Sequence, residues 1–104
     1  MTLNEYQTEA HKTAIYPQQY AEQYNLYQLA SETGELCRIH SKAIIKRTTL
    51  DLNSIAKELG DILWHVSEYA LLNGFTLQDI AELNLEKLRD RQARNVIAGD
   101  GDSR

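Results

Sequence analysis

The acidic pattern Leu29-Ala30-Ser31-Glu32-Thr33-Gly34-Glu35-Leu36 returns 26 residues later as Ile55-Ala56-Lys57-Glu58-Leu59-Gly60-Asp61-Ile62. Each copy holds two carboxylates three positions apart around a glycine. Acids at positions i and i+3 project from one face of a helix, so two such helices laid side by side would bring four carboxylates together. The repeat therefore predicts two juxtaposed helices and a shared acidic site that needs a cation.

Helical spacing of apolar residues continues on both sides of this repeat, and nothing in the sequence indicates a strand. A first short helix is expected to start at the capping box Thr2-x-x-Glu5 and to run to about the Tyr16-Pro17 break. The second helix follows Pro17 and continues to about Lys46.

A third helix, capped by Asn53 or Ser54, is expected to stop at Asn73-Gly74. The fourth opens at residues 76–79 and runs out into a charged segment at residues 89–94. The sequence predicts an all-α four-helix bundle in which the second and third helices, the central pair, are antiparallel because their link is short. Residues 1–95 form one domain, and residues 96–104 are expected to be a flexible tail.

Composition limits the partners and the compartment. The 104 residues carry a formal charge of -4 and a single cysteine, and they show neither a signal peptide nor an apolar run of the roughly 20 residues that a membrane span needs. Nucleic acid is a poor partner for this charge, while small phosphorylated ligands remain open. We expect a cytoplasmic homo-oligomer, since a second subunit is a common way to complete so small a core.

The helical phase of the acids argues against a solvated face. At about 100° per residue, Glu32 and Glu35 flank the apolar stripe that contains Leu29, and Glu58 and Asp61 have the same offsets from Ile55. Partly buried like charges repel unless a proton or a metal relieves them. Ligands that are all oxygen favour Mg²⁺, with Mn²⁺ as the alternative, over Zn²⁺.

Gly34 and Gly60 occupy matching positions inside the two helices, where glycine costs roughly 1 kcal/mol relative to alanine. We expect a close approach there, either for helix packing or to make room for the ion.

His65 follows Asp61 by four residues, on the same flank of the helix. This spacing raises a di-iron alternative, but the only histidine near the first acidic pair, His40, points toward the apolar stripe. We therefore expect His65 to support the metal ligands or to contact substrate, and we rank a role as metal ligand second.

The aromatic residues are expected to serve packing. Trp64 is expected to face a subunit partner, and the tyrosine stripe is expected to form core or subunit interface. This stripe comprises Tyr16, Tyr20, Tyr24 and Tyr27.

The fourth helix carries an amide, an ammonium and a guanidinium on one face, at Asn84, Lys87 and Arg91. These groups suit phosphate oxygens, although the spacing alone is also typical of a solvated cationic face.

Taken in order, these motifs resemble the all-α nucleoside triphosphate pyrophosphohydrolases, and specifically their MazG-like branch. The resemblance rests on Glu32-x-x-Glu35, then 22 residues, then Glu58-Leu59-Gly60-Asp61-Ile62-Leu63-Trp64, followed by Asn84-Leu85-Glu86-Lys87-Leu88-x-x-Arg91. The beginning and the end of the chain are similar to compact single-domain members, including phage-encoded ones.

The resemblance implies Mg²⁺-dependent hydrolysis of a (deoxy)nucleoside triphosphate to the monophosphate and pyrophosphate. Metal would be held by Glu32, Glu35, Glu58 and Asp61, with Glu35 as our choice for the general base. Carried over residue by residue, Lys87 and Arg91 would bind phosphates, Asn84 phosphate or sugar, Tyr69 the sugar, and Gln7 would face the base. Two other classes stay open: a non-catalytic helical dimer or binding module regulated by a cation, and a di-iron carboxylate protein.

Overall fold

The computed structural model describes residues 1–104, which form four α-helices, one short 3-10 turn and no strand. The elements are α1 (Leu3–His11), the 3-10 turn (Gln18–Tyr20), α2 (Ala21–Lys46), α3 (Leu52–Leu72) and α4 (Leu77–Ala93). The predicted all-α architecture is confirmed. No helix combines the length and the apolar character needed to cross a membrane.

The central pair of the fold is α2 and α3, which make the most extensive contact between any two elements. Asn25 on α2 meets His65 on α3, whereas Glu32 meets Glu58. Residue numbers rise along one helix as they fall along the other, so the pair is antiparallel, as predicted. The reversal between them begins at Arg47, whose φ of 52° ends α2 in the left-handed conformation.

Two helix boundaries differ from the sequence prediction. α1 ends at His11 and not near Tyr16, because the amides of residues 12–14 bond three residues back. The carbonyl of Ala10, which accepts from the Thr13 amide, also accepts a hydrogen bond from the indole of Trp64. α3 is capped by Asp51 and not by Asn53 or Ser54, since the Asp51 carboxylate accepts from the Ser54 amide at 3.2 Å.

The side chain of Gln7 connects α1 to α3 and to the turn that leads into α4. Its side-chain nitrogen donates to the carbonyls of Ser67 and Phe75 at 3.1 and 3.3 Å, and its side-chain oxygen accepts from the Leu77 amide at 3.1 Å. α4 then starts where it was predicted to start, and Thr76 and Asp79 form a capping box there. α1 is thereby held against α3 and α4, the two helices that it contacts.

The interior of the single chain is small and unusually polar. Only 10 of 104 residues are buried, and the largest side chains that are fully buried are those of Glu68, Asn25 and Ser67. Many large apolar side chains are exposed, among them Ile44 and Ile45 at the end of α2 and Leu52 at the start of α3.

Gly34 and Gly60 do not mark a close approach within the chain, which corrects the expectation from the sequence. A Cβ atom at either position would meet no atom within 4 Å, because both glycines face open space at the side of the helix pair.

The C-terminal segment, residues 96–104, turns back along α4 and does not project away from the protein. The turn begins at Asn95, whose φ is 58°. The side chain of Arg104 then donates to the carbonyls of Val96 and Ile97 at 3.2 and 3.4 Å. These contacts describe the path of the segment, and its expected flexibility stays a prediction.

Candidate functional site

Three carboxylates converge where α2 crosses the first half of α3. Glu32 comes from α2, and Glu58 and Asp61 come from α3. One oxygen from each lies within 4.8 Å of the others, with Glu32 and Glu58 partly buried and Asp61 exposed. The helical phase of the two acidic motifs thus produces a three-carboxylate cluster on the antiparallel pair.

The environment of Glu58 disfavours its charge. The pKa of the Glu58 carboxyl is raised, first by its hydrogen bonding to Glu32, then by desolvation and by the charges of Glu32, Asp61 and Glu35. Its Oε2 atom is buried and has no hydrogen-bond partner. Such an oxygen is stabilised by a proton or by a cation. A donor set made only of carboxylate oxygens suits a hard divalent cation such as Mg²⁺ or Mn²⁺.

Glu35 stands beside the three-carboxylate cluster and not within it. Its side chain is exposed, and it is absent from the group whose oxygens lie within 4.8 Å of one another. Its charge nevertheless reaches Glu58 and contributes to the raised pKa of that residue. The structure therefore brings together three of the four predicted carboxylates and leaves the fourth next to them.

His65 lies one helical turn beyond Asp61 and bonds a neighbouring amide, not the carboxylates. Its Nδ1 is 2.9 Å from the Oδ1 of Asn25, and both residues are buried. Burial lowers the pKa of His65, and the charges of Asp61 and Glu68 oppose that shift in part. The imidazole is consequently held next to the acidic site in an environment that favours its neutral form.

Aromatic rings surround His65. The Trp64 ring packs edge-on at 4.9 Å between centroids and the Tyr24 ring at 6.2 Å, while Tyr16 stacks on Tyr24 at 5.5 Å. Trp64 donates from Nε1 to the Ala10 carbonyl and the Thr13 hydroxyl. This corrects the expectation that Trp64 faces a subunit partner, because its indole is directed at α1 of the same chain.

Glu68 is a buried carboxylate that the sequence analysis missed. It is fully buried and accepts from the Tyr16 hydroxyl at 2.7 Å, with the His11 Nδ1 at 3.0 Å. Burial and this hydrogen bond raise the pKa of Tyr16 to about 12. A signal was available: Glu68 follows Asp61 by seven residues, which returns to the same helix face after two turns. Asn25 precedes Glu32 by the same interval.

The two residues expected near the nucleoside occupy different surroundings. All the polar atoms of the Gln7 side chain are engaged by the protein backbone. Burial raises the pKa of its neighbour Tyr6, and the charges of Asp61 and Glu68 add to that shift. Tyr69 lines an apolar cavity of ≈ 340 Å³ between α2, α3 and α4.

The basic residues of α4 bond the C-terminal segment. Lys87 Nζ lies 2.7 Å and Arg91 Nη2 2.8 Å from the same Oδ1 atom of Asp102, and Asn84 is exposed. The hydrogen bonds from Lys87 and Arg91 lower the pKa of Asp102. No hydrogen bond or ion pair connects these basic residues to the three-carboxylate cluster.

The sequence is similar to a described protein family and to a phage protein. The family model described as MazG nucleotide pyrophosphohydrolase domain matches residues 20–96, which include both acidic motifs, Lys87 and Arg91. The chain is 32% identical to "Gene 37 protein" of Mycobacterium phage L5 over 114 aligned residues that cover 100% of both proteins. No solved structure shows significant similarity to the chain.

Proposed function

Because this chain belongs to the MazG nucleotide pyrophosphohydrolase family, we propose that it hydrolyses nucleoside or deoxynucleoside triphosphates to the monophosphate and pyrophosphate, with Mg²⁺ as cofactor. The observation that carries this proposal is the three-carboxylate cluster of Glu32, Glu58 and Asp61, whose oxygens lie within 4.8 Å of one another. The buried, unpartnered oxygen of Glu58 supports a cation as the missing partner.

The three carboxylates would hold the ion, with Mn²⁺ as an alternative and Glu35 at the edge of the site. When bound, a divalent cation supplies charge neutralisation for the triphosphate and acidifies the attacking water. The cluster brings three acids together without a lysine or arginine. The carboxylates therefore repel one another, and a bound cation would reduce that repulsion.

Glu35 is our candidate for the general base. Its carboxylate is exposed and stands outside the three-carboxylate cluster, so it stays free to accept a proton. Water would attack the α-phosphorus, the bond from that phosphorus to the bridging oxygen of the β-phosphate would break, and pyrophosphate would leave. The proton released by the water would pass to Glu35.

Lys87 and Arg91 would bind phosphate oxygens, and Asn84 on the same face of α4 would contact phosphate or sugar. The nucleoside would lie against the exposed ring of Tyr24, which covers the buried pair of Asn25 and His65 one turn beyond Asp61. Gln7 would act indirectly, by holding α1 with Tyr6 within range of the charges of Asp61 and Glu68. Tyr69 is proposed as a sugar contact on the adjacent face of α3.

We further propose that the functional protein is a homodimer or homotetramer. The single chain exposes 7827 Å², whereas a folded monomer of 11.9 kDa exposes about 6,000 Å². The excess of about 1,800 Å² per chain, or about 3,600 Å² for a pair of chains, is in the range that obligate homodimers bury in total. The radius of gyration of 16.6 Å likewise exceeds the roughly 13 Å of a compact chain of this length. A second copy would also complete the surroundings of the three-carboxylate cluster.

The test is product analysis. The purified protein is incubated with each canonical NTP and dNTP, with and without Mg²⁺, and the products are separated by chromatography. We expect monophosphate and pyrophosphate only in the presence of Mg²⁺, and a loss of at least about 100-fold in rate for Glu58→Gln. Glu22→Gln, an exposed acid on the first turn of α2, serves as the matched control.

Retained turnover in Glu58→Gln would contradict the assignment of the site. Absence of turnover on all these nucleotides, together with a Mg²⁺-dependent change in oligomer size, would favour the non-catalytic module regulated by a cation.

A further inference from the structure

The C-terminal segment places a carboxylate between two cationic side chains of α4, Lys87 and Arg91. Asp102 Oδ1 accepts from Lys87 Nζ at 2.7 Å and from Arg91 Nη2 at 2.8 Å, and the Asp102 carbonyl accepts from the same Arg91 nitrogen at 3.2 Å. The carboxylate oxygen thus accepts from an ammonium and from a guanidinium. A phosphate oxygen would accept from these two groups in the same way.

The partners in this contact differ strongly in their exposure. The Arg91 side chain is 8% exposed, whereas the Asp102 side chain is 81% exposed. All hydrogen bonds of the Arg91 side chain go to Asp102. A buried guanidinium without an anionic partner costs much free energy, both with and without substrate. An exposed carboxylate that leaves the ion pair is hydrated again and costs little. The contact is therefore built so that one anion can replace another while Arg91 stays in place.

Asp102 is presented by a folded turn. Arg104 donates to the carbonyls of Val96 and Ile97, and Arg94 donates to the Arg104 carbonyl. Gly99 packs so closely that a Cβ there would lie 2.9 Å from the Arg104 side chain, and Gly101 adopts a φ of 76°. These contacts hold the turn together independently of Asp102, so the carboxylate can leave Lys87 and Arg91 without unfolding the segment.

We propose that residues 96–104 are a competing strap, in which Asp102 occupies the position of a substrate phosphate on Lys87 and Arg91 and is displaced when the polyphosphate binds. This inference rests on the proposed function, which assigns phosphate binding to those two residues. A triphosphate carries three to four negative charges against the single charge of Asp102, so it gains more from the two cations. The strap lowers the affinity for weakly charged anions and keeps the buried guanidinium neutralised between turnovers.

The test measures binding and does not require hydrolysis. Inorganic tripolyphosphate is titrated into the full-length chain without divalent cations, by calorimetry, for the wild type, Asp102→Asn and Asp102→Ala. We expect both variants to bind about threefold to tenfold more tightly than the wild type, because the competing carboxylate is gone. Asp100→Asn, an exposed acid in the same segment without an ion pair, is the matched control and should bind like the wild type.

Lys87→Ala should weaken tripolyphosphate binding in both the wild-type and the Asp102→Asn backgrounds. In nucleotide turnover, Asp102→Asn should lower KM and leave kcat unchanged, which a purely structural role of Asp102 would not produce.

Unchanged or weaker tripolyphosphate binding in the Asp102 variants would overturn the strap, and so would failure of every variant to bind this anion. Normal hydrolysis accompanied by unchanged binding in Asp102→Asn would overturn the strap alone. Tighter binding in Asp102→Asn without any hydrolysis would support the strap and contradict the proposed reaction.

Discussion

At the scale of single residues, Glu58 destabilises the folded protein in the same position where it is proposed to bind the cation. Its carboxyl has a raised pKa beside Glu32, and one of its oxygens is buried without a partner. Because the folded protein binds this proton more tightly than the unfolded chain does, the contribution of Glu58 to stability is present below about pH 4.5 and is lost as the pH rises through its folded pKa. Deprotonated Glu58 is therefore destabilising at neutral pH unless a cation is bound.

Glu58→Gln should consequently be more stable than the wild type at pH 7 in the presence of EDTA. The measurement is the midpoint of urea unfolding at one protein concentration, with Glu22→Gln as control. The advantage of the variant should shrink as the pH falls toward 4.5. Saturating Mg²⁺ should raise the midpoint of the wild type and leave that of Glu58→Gln nearly unchanged. Equal responses of both proteins to Mg²⁺ would place the ion elsewhere.

Much of the site could be predicted from helical phase, because the direction of a side chain on a helix depends mainly on sequence interval. That rule identified Glu32, Glu58 and Asp61, and the same rule extended by two turns would have found Glu68 and Asn25. It could not predict how far Glu35 stands from the cluster, since that depends on how α3 crosses α2.

At the scale of the elements, the two matched glycines do not serve helix packing within the chain. Gly34 lies in the interior of α2, and a Cβ there would meet open space. A glycine at an exposed helix interior costs backbone entropy and gains nothing from the missing side chain.

Gly34→Ala should therefore raise the free energy of unfolding by about 0.5–1 kcal/mol, measured by urea unfolding at a fixed protein concentration. Gly74→Ala is the contrasting control, because its φ of 81° after α3 strains any side chain, and this variant should be destabilised. Destabilisation by Gly34→Ala would show instead that a second subunit approaches the helix at this point.

The helix boundaries show what local sequence signals can establish. The capping boxes at Thr2 and Thr76 were predictable because each spans only three residues. The early end of α1 was not predictable, since the amides of residues 12–14 bond three residues back although no glycine or proline stands between His11 and Tyr16. The residue that caps α3 was not predictable either. Asp51 caps the helix in place of Asn53 or Ser54 because of the path that the chain takes out of the turn at Arg47.

At the scale of the whole molecule, the exposed apolar surface and the extended shape require an explanation outside the single chain. We expect sedimentation equilibrium to give a dimer or tetramer at micromolar concentration, because the excess exposed area matches that of an obligate interface. Bound Mg²⁺ is not needed for this result if the interface is mainly apolar. A monomer at tens of micromolar would contradict the proposed assembly.

The path of the C-terminal segment illustrates the limit of sequence reasoning at this scale. Glycines and short polar residues at positions 99–103 are typical of a flexible end. The reversal at Asn95 nevertheless brings Asp102 to Lys87, fifteen positions earlier in the chain. The two α4 residues chosen for phosphate binding are thus the ones that hold this carboxylate, which no spacing rule would have predicted.

The most direct test of the central claim is turnover in H₂¹⁸O with mass analysis of both products. Water attack at the α-phosphorus predicts one ¹⁸O in the nucleoside monophosphate and none in the pyrophosphate, with formation of both dependent on Mg²⁺ and on Glu58. Release of orthophosphate and a nucleoside diphosphate, or ¹⁸O in the pyrophosphate, would contradict the reaction that we assign to the three-carboxylate cluster.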